Sequence, residues 1–429
     1  MLMQPARGIC SRPQQKDILG QPHRTTKNKS YNSMIETKRI YLDHCATTPV
    51  HPEVMETMLP YFKDFYGNPF SIHAFGQDAR KALDEARDKV AHLIGAQPEE
   101  IIFTSGGTEA DNLAIRGIAY AYNKKGNHII TSAIEHHAVL NTCKYIEWKG
   151  YEVTYLPVDR NGLVNPEDVK ETISDKTILI SIMHANNEIG TIEPVQEIAA
   201  IARENGIIFH TDAVQAVGKI KVDVNHLDVD LLSLSGHKMY GPKGIGVLYV
   251  RKGTKIDPTL YGGHQERGLR PGTENVAAIV GFSKACEVAE KERASQVDNL
   301  RNLRDHLQTR ISGEIPDILV NGHSEKRLPH VLNISVEGIE AESIVRDMDN
   351  KGIAISAGSA CTSDSIEISH VISALGIPRN IAKGSIRFSL GRKNTLEEIN
   401  FTIESLKEVV QKLRGMAELE ESLGRRGCV

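Results

Sequence analysis

Two charged residues, each at the end of an apolar run, are the first groups in this 429-residue sequence that could do chemistry. The run IIFHTDAVQ leaves Asp212 at the end of a nearly continuous apolar stretch, where a carboxylate needs a partner or a mouth to solvent. Its structural alternative is an N-cap for the next helix. The run VDLLSLS delivers Ser235, Gly236, His237 and Lys238 at another such end, with a flexible glycine close to a lysine. A lysine in a largely buried site can lose its proton and form a Schiff base, whereas most lysines snorkel to the surface. A third run, EIIFTS, passes into Gly106, Gly107 and Thr108, and the helical pattern TEADNLAIRGIAYAY begins at once. Free N–H groups at a helix N-terminus beside a hydroxyl make a phosphate cup, although a plain strand-to-helix junction has the same features. The set says more than its members. A phosphate cup, a strand-end carboxylate and a strand-end lysine are the anchors that pyridoxal 5′-phosphate (PLP) requires for its phosphate, ring nitrogen and aldehyde.

Six cysteines (Cys10, Cys45, Cys143, Cys286, Cys361, Cys428) show no CxxC pair and no regular spacing, which argues against a disulfide framework or a zinc site and for a reducing compartment. Cys143 and Cys286 fall in helical apolar patterns and read as buried small hydrophobes. Cys361 does not. It sits in Ile355-Ser-Ala-Gly-Ser-Ala-Cys-Thr-Ser363, small residues that cannot pack a core, so a mobile loop carrying an accessible thiol is expected. The adjacent His136 and His137 could ligate a metal, but neighbouring histidines rarely point at one ion and no third ligand is suggested.

The elements that must position these groups follow from periodicity. Between residues 48 and 290, seven short β-branched runs alternate with helical stretches, which predicts an α/β domain with a largely parallel sheet. A charged helical segment follows, with Leu300, Leu303, Leu307 and Ile311 on one stripe, and serves as the connector. VLNISV and SIRFSL then read as strands and AESIVRDMDNKG and LEEINFTIESLKEVVQKLRG as helices of a smaller α+β domain. The expected division is an N-terminal extension over 1–38, a large domain over 48–292, and a small domain formed by 39–47 with 293–429. Gly241, Gly244 and Gly246 precede a strand instead of opening a helix, so a dinucleotide fingerprint is excluded.

Composition narrows the function classes. A formal charge of -4 with interleaved signs offers no footprint for nucleic acid. No apolar stretch approaches the roughly 20 residues of a membrane span. Residues 1–38 are basic and carry only Asp17 and Glu36 as acids, consistent with a disordered extension, an over-long start ahead of Met34, or a transit peptide. A cytoplasmic protein is the first expectation, and an organelle such as the mitochondrion is the alternative if 1–38 is a targeting segment.

The strings YLDHCATTPV, NPFSIHAFG, FTSGGTEADNLAI, EHHAVL, SIMHANNEIG, HTDAVQAVGK, SLSGHKMYGPKGIG, RPGTENV, SAGSACTS and SIRFSLGR span roughly residues 40 to 415. Together they resemble the cysteine desulfurases of the NifS/IscS type, within the class-V aminotransferase family. The resemblance implies the PLP-dependent transferase fold (fold type I), with a seven-stranded, mainly parallel sheet and a smaller α+β domain. It implies that Lys238 holds PLP as a Schiff base, Asp212 pairs with the ring nitrogen, His136 stacks on the ring and Gln215 faces the phenolic oxygen. Gly107, Thr108, Ser235 and His237 are then the phosphate ligands, joined by Thr273 reaching the neighbouring subunit of a homodimer. Asn186 and Arg387 are expected to hold the substrate carboxylate. The implied reaction removes sulfur from L-cysteine, leaves alanine and loads a persulfide on Cys361 for a protein acceptor, either an iron–sulfur scaffold or a tRNA thiolation enzyme, with transient iron–sulfur ligation at Cys361 as a further expectation. Aminotransferase and selenocysteine lyase chemistry use the same anchors, and Cys361 is what separates them from sulfur transfer. A noncatalytic relative would have lost Lys238 or Cys361. The chain ends in GMAELEESLGRRGCV, without the longer tail by which IscS-type members engage a scaffold, so the acceptor is not specified.

Overall fold

The computed structural model describes residues 39–357 and 368–426, with backbone alone beyond 417. All seven apolar runs form strands of one seven-stranded sheet, in the order Ile101–Thr104, Gly246–Val250, Leu231–Ser235, Ile208–Asp212, Thr177–Ser181, His128–Ser132, Glu152–Leu156. Gly246–Val250 is antiparallel to both of its neighbours, and the remaining pairs are parallel. Parallel pairing needs crossovers, and the intervening helices supply them, covering both faces. Strands covered on both faces should be apolar throughout, and Leu231–Ser235, Thr177–Ser181 and Gly246–Val250 are buried at every position. The fold class implied by the sequence is the one observed.

A second, four-stranded antiparallel sheet runs Ser356–Ala357, Ser385–Ser389, Val331–Val336, Ile318–Asn321. Helices Ala341–Asn350 and Leu396–Arg426 bury their apolar stripes against it, through Ile344, Met348, Ile399, Ile403 and Leu406. The connector begins earlier than the periodicity suggested. One 39-residue helix runs from Val276 to Glu314, started by the Asn275 side chain accepting from the Ala278 N–H at 3.2 Å. Its first turns pack Val276, Ile279 and Phe282 into the core of the large sheet, and Leu300, Leu303, Leu307 and Ile311 pack into the core of the second. The same rod therefore belongs to both cores. The Ile40–Tyr41 strand pairs with Ile353–Ala354, and Asp43 bridges to Ser389, so the segment before Cys45 is stitched to the second sheet.

Ile101–Thr104 is an edge strand, and its free edge is closed by side chains instead of another strand. The Glu266 carboxylate accepts from the Phe103 N–H at 2.8 Å, and Arg87 grips it with two N–H groups at 2.9 and 2.5 Å. Arg87 also donates to the Ile101 carbonyl at 2.7 Å and lies over the Phe103 ring. Because this strand leads directly into Gly106 and Gly107, the clamp fixes where the following helix starts. Glu266 is buried, so Glu266→Ala leaves a guanidinium without its counter-charge and a strand N–H without its acceptor. A loss of about 3–5 kcal/mol is expected, read as a lower urea midpoint and melting temperature. An unchanged midpoint would mean that the clamp is not needed to hold the edge.

Candidate active site

Ligands of open α/β sheets bind beyond the carboxyl ends of the strands, and there a cavity of about 320 Å³ gathers residues from seven separate stretches of chain. Asp212, the last residue of Ile208–Asp212, is buried in its wall. It is not a helix cap. One oxygen accepts from the Val214 N–H at 2.9 Å in a local turn, and the next helix begins only at Val224. Burial pushes this carboxyl upward, opposed by the nearby His136 ring, the Val214 N–H and the Lys238 ammonium.

Lys238 lies one turn beyond Leu231–Ser235, and its Nζ donates to the Cys45 and Ala46 carbonyls at 2.6 and 2.7 Å. Burial lowers its affinity for a proton. His136 stands before the helix His137–Trp148, where its Nδ1 accepts from the Ala138 N–H at 3.1 Å, so the same ring that lines the cavity also caps that helix. Burial lowers its pKa as well, against the pull of Asp212. The neighbouring His137 turns instead toward the His370 ring, with 4.8 Å between centroids.

At the other end of the cavity the helix Gly107–Ala121 presents its first turn, whose leading N–H groups have no acceptor within the helix. The turn comes this close to the sheet only because Gly246 lacks a side chain; a Cβ there would sit 2.5 Å from the Gly106 carbonyl carbon. Gly107, Thr108, Ser235 and His237 line this end together. Among the described residues the buried Ser235 hydroxyl has no partner, and neither has the Gln215 side-chain oxygen, although the Gln215 amide donates to the Cys45 carbonyl at 3.0 Å. His237 shares a hydrogen bond with the Thr47 hydroxyl at 3.1 Å, and burial pushes its pKa down to about 4. Unpaired donors at one end and a buried carboxyl at the other suit an elongated ligand with an anionic tail and a basic ring nitrogen.

Arg387, in the middle of Ser385–Ser389, reaches the same cavity from the second sheet. The resemblance gives it to the substrate carboxylate, and here it borders the cavity while also pairing with a carboxylate of the protein. One Nη donates to Asp43 at 2.7 Å and the other to the Asn187 carbonyl at 2.8 Å, while the buried Nε has no partner among the described residues.

Asn186 does not present its side chain to the cavity. Its amide donates to the Ile134 carbonyl at 2.9 Å, and its oxygen accepts from the Glu188 and Ile189 N–H groups at 2.8 and 3.0 Å, so both ends are spent on holding a tight turn. Asn187 lines the cavity instead. Two asparagines in succession give no sign in composition of which one the turn will hold. Thr273 is exposed and stands apart from the residues that line the cavity. Cys361 lies outside the described residues, whereas Cys143 and Cys286 are buried as expected.

Asp111, in the cavity wall, and Asp43, the partner of Arg387, escaped the sequence reading. Asp111 is buried, and its burial together with the charge of Asp212 raises its pKa well above the usual range. The nearest ring, His210, is 3.7 Å away and held neutral by burial, so it supplies no counter-charge. Burial pushes both carboxyls upward; the charge of Asp212 adds to this at Asp111, whereas His136 and Lys238 oppose it at Asp212. The signal available for Asp111 was its place among Ala110, Leu113 and Ala114, on the apolar face of its helix. Asp43, the Arg387 partner, carried no signal, because the pairing joins positions 344 residues apart.

The fold and cavity are those of PLP-dependent enzymes of fold type I, and comparison with known proteins is more specific. Residues 40–401 match the class-V aminotransferase family. The chain is 53% identical over 384 residues to the cysteine desulfurase IscS of Dictyoglomus turgidum, covering 90% of this chain and 98% of that one. A solved NifS-like protein superposes with a TM-score of 0.83 at 39% identity, over 87% of this chain and all of the other. A structure described as SspA in complex with cysteine gives 0.73 at 38% identity, over 82% and 98% of the two chains. The chain belongs to the class-V aminotransferases and, within them, to the cysteine desulfurases, a family of PLP-dependent enzymes.

The two adjacent asparagines should separate cleanly on substitution. Asn186→Ala leaves two buried N–H groups and a carbonyl unpaired, and a destabilisation of about 2–5 kcal/mol is expected. Asn187→Ala should leave the melting temperature within about a degree, because loss of a cavity-facing group breaks no buried network. Equal destabilisation by both would contradict this assignment.

Proposed function

We propose that the chain takes sulfur from L-cysteine onto Cys361, releases alanine and passes the sulfur to an acceptor protein. The observation that carries this reading is the convergence of Lys238, Asp212, His136 and Arg387 on one cavity that ends in an anion cup, in a chain that also carries Cys361 among small residues.

Gly107, Thr108, Ser235 and His237 fit the phosphate of PLP, Asp212 its ring nitrogen, His136 its ring face and Gln215 its phenolic oxygen; the unpaired Ser235 hydroxyl and Gln215 oxygen support this fit. Bound there, PLP supplies an electron sink for negative charge at the substrate Cα. Lys238 binds the cofactor covalently, and once displaced by the substrate amine it moves the α-proton; its lowered proton affinity favours the neutral amine that this task needs. Arg387, with its free Nε, and Asn187 in place of Asn186 receive the substrate carboxylate. The Cys361 thiolate then attacks the substrate sulfur. The new S–S bond forms as the Cβ–S bond breaks, and its electron pair stays with the carbon skeleton, which takes up a proton and leaves as alanine.

The assembly we propose is a homodimer with Thr273 completing the cup of the neighbouring subunit. Its support is a run of large apolar side chains left exposed in one chain: Phe62, Tyr66, Phe70, Ile72 and Phe75. Residues 39–47 and 293 onward would form the small domain and 48–292 the large one. Among the described residues no helix is long and apolar enough to cross a membrane. A cytoplasmic location with an iron–sulfur scaffold or thiolation enzyme as acceptor fits this reading, and a transit role for 1–38 is the alternative for the compartment.

Cys361→Ala separates sulfur transfer from the rest. The variant should bind PLP and cysteine normally but form no sulfide and no alanine, while mass spectrometry of the wild type after cysteine shows one added sulfur on Cys361. Sulfide release at the wild-type rate from Cys361→Ala would overturn the assignment.

A further inference from the structure

Lys238 and Arg387 come from different sheets, and a substrate held at its amine and its carboxylate needs a fixed span between them. Two residues beyond Lys238 stands Tyr240, whose backbone has φ +62°. A bulky residue rarely adopts this left-handed conformation, and the strain persists only where the surroundings enforce it. Here they do. The Tyr240 N–H donates to the Thr48 hydroxyl at 2.8 Å, and its carbonyl accepts from the His51 N–H at 2.9 Å. Thr48 in turn donates to the His237 carbonyl through its N–H and its hydroxyl, each at 3.0 Å.

The strained turn brings the Tyr240 side chain to the end of the Arg387 strand. Its hydroxyl accepts from the Arg392 N–H at 2.9 Å, and the Arg392 guanidinium lies over its ring, 5.6 Å from the centroid. Arg392 follows Arg387 by five residues. Its guanidinium pairs at 2.7 Å with Glu292, on the helix Val276–Glu314 that packs into both cores. His44 lies between Asp43, which pairs with Arg387, and Cys45, whose carbonyl takes the Lys238 ammonium. Its ring stands 6.0 Å from that of Tyr240 and packs on Gly391 so closely that a side chain there would not fit. Tyr240 therefore joins the Lys238 turn to the end of the Arg387 strand. It does so from outside the site: Tyr240 and Arg392 line a separate cavity that Lys238 also borders, and neither lines the one that gathers Asp212, His136 and Arg387.

We infer that Tyr240 is a positioning residue, a strut that sets the span between Lys238 and Arg387, so that a ligand held by both depends on it and a ligand held by either alone does not. This rests on Lys238 carrying PLP and Arg387 receiving the substrate carboxylate. A ligand that bridges two anchors gains from both only where their spacing matches its own length, whereas a ligand on one anchor tolerates a shift.

The test uses the full-length PLP-loaded enzyme and three small probes: L-alanine, with an amine and a carboxylate; ethylamine, with the amine alone; and propionate, with the carboxylate alone. The first two are titrated through the PLP absorbance, and propionate by its competition with L-alanine. Tyr240→Phe keeps the ring beneath Arg392 and removes the acceptor of its N–H. Affinity for L-alanine should fall about three- to tenfold, the equivalent of one net hydrogen bond, while ethylamine and propionate stay within about twofold. Glu292→Gln, at the far end of the strut, should weaken L-alanine with the same selectivity, and the melting temperature of each variant shows whether it is folded. Unchanged L-alanine affinity in Tyr240→Phe overturns the inference, and so does an equal loss for all three probes. Arg387→Ala, run alongside, tells which part fails. With the arginine gone L-alanine is held at one point, so adding Tyr240→Phe should cost nothing more; a further loss of the same size overturns the strut. If Arg387→Ala alone binds L-alanine as the wild type does, it is the reading of Arg387 as the carboxylate anchor that falls, and the inference with it.

Discussion

Withdrawing charge from water at the ends of parallel strands is the constraint on which the site depends. Lys238, Asp212, Asp111 and Arg387 all border one cavity, and each is held where its charged form is poorly solvated. Left alone, such groups would neutralise or destabilise the fold. They are kept apart in role by their neighbours. Asp212 faces His136 and Lys238, Asp111 faces Asp212 and a neutral ring, and Arg387 has Asp43. The same burial that lowers the proton affinity of Lys238 raises that of Asp212, and the partners beside each group oppose or reinforce it.

The rest of the structure brings those partners together. The parallel sheet places Asp212, Ser235 and the turn at Gly107 at one end of the molecule, and the one antiparallel strand contributes Gly246, which makes room for the turn. Arg387 comes from the second sheet, so its reach depends on the helix Val276–Glu314 that packs into both cores and on the Ile40–Tyr41 segment that carries Asp43. The link from fold to chemistry is therefore long-range: a shift of either sheet would move the guanidinium relative to the lysine.

Much of this was legible in the sequence. Continuous apolar runs gave the buried strands because a sheet covered on both faces leaves no polar positions, and residues at the ends of those runs are where ligands meet such a sheet. That is why Lys238, Asp212 and the Gly107 cup stood out from spacing alone. What stayed hidden was orientation and partnership. Asn186 and Asn187 are alike in composition, yet the first is spent on a turn while the second lines the cavity. The hydrogen bonds of a single turn decide between them. Asp111 stands near the start of a helix, where an acid is common, and only the packed helix reveals that its side points inward. Asp43 with Arg387, and Glu188 with Ser369, are pairings across 344 and 181 residues that no local pattern encodes. Thr273 is exposed in one chain, and a single sequence gives no geometry for a partner.

The central claim is that Lys238, and no other buried amine, is the group that bonds the cofactor. A close competitor exists. Lys219 is within hydrogen-bonding reach of the Lys238 carbonyl, at 2.8 Å, and burial lowers its pKa to about 8, so it too could offer a neutral amine. Reducing the PLP-loaded protein with borohydride and mapping the modified peptide by mass spectrometry decides between them. The expected result is one PLP adduct per chain, on Lys238, with Lys219 unmodified; an adduct on Lys219, or none on Lys238, would contradict the site described.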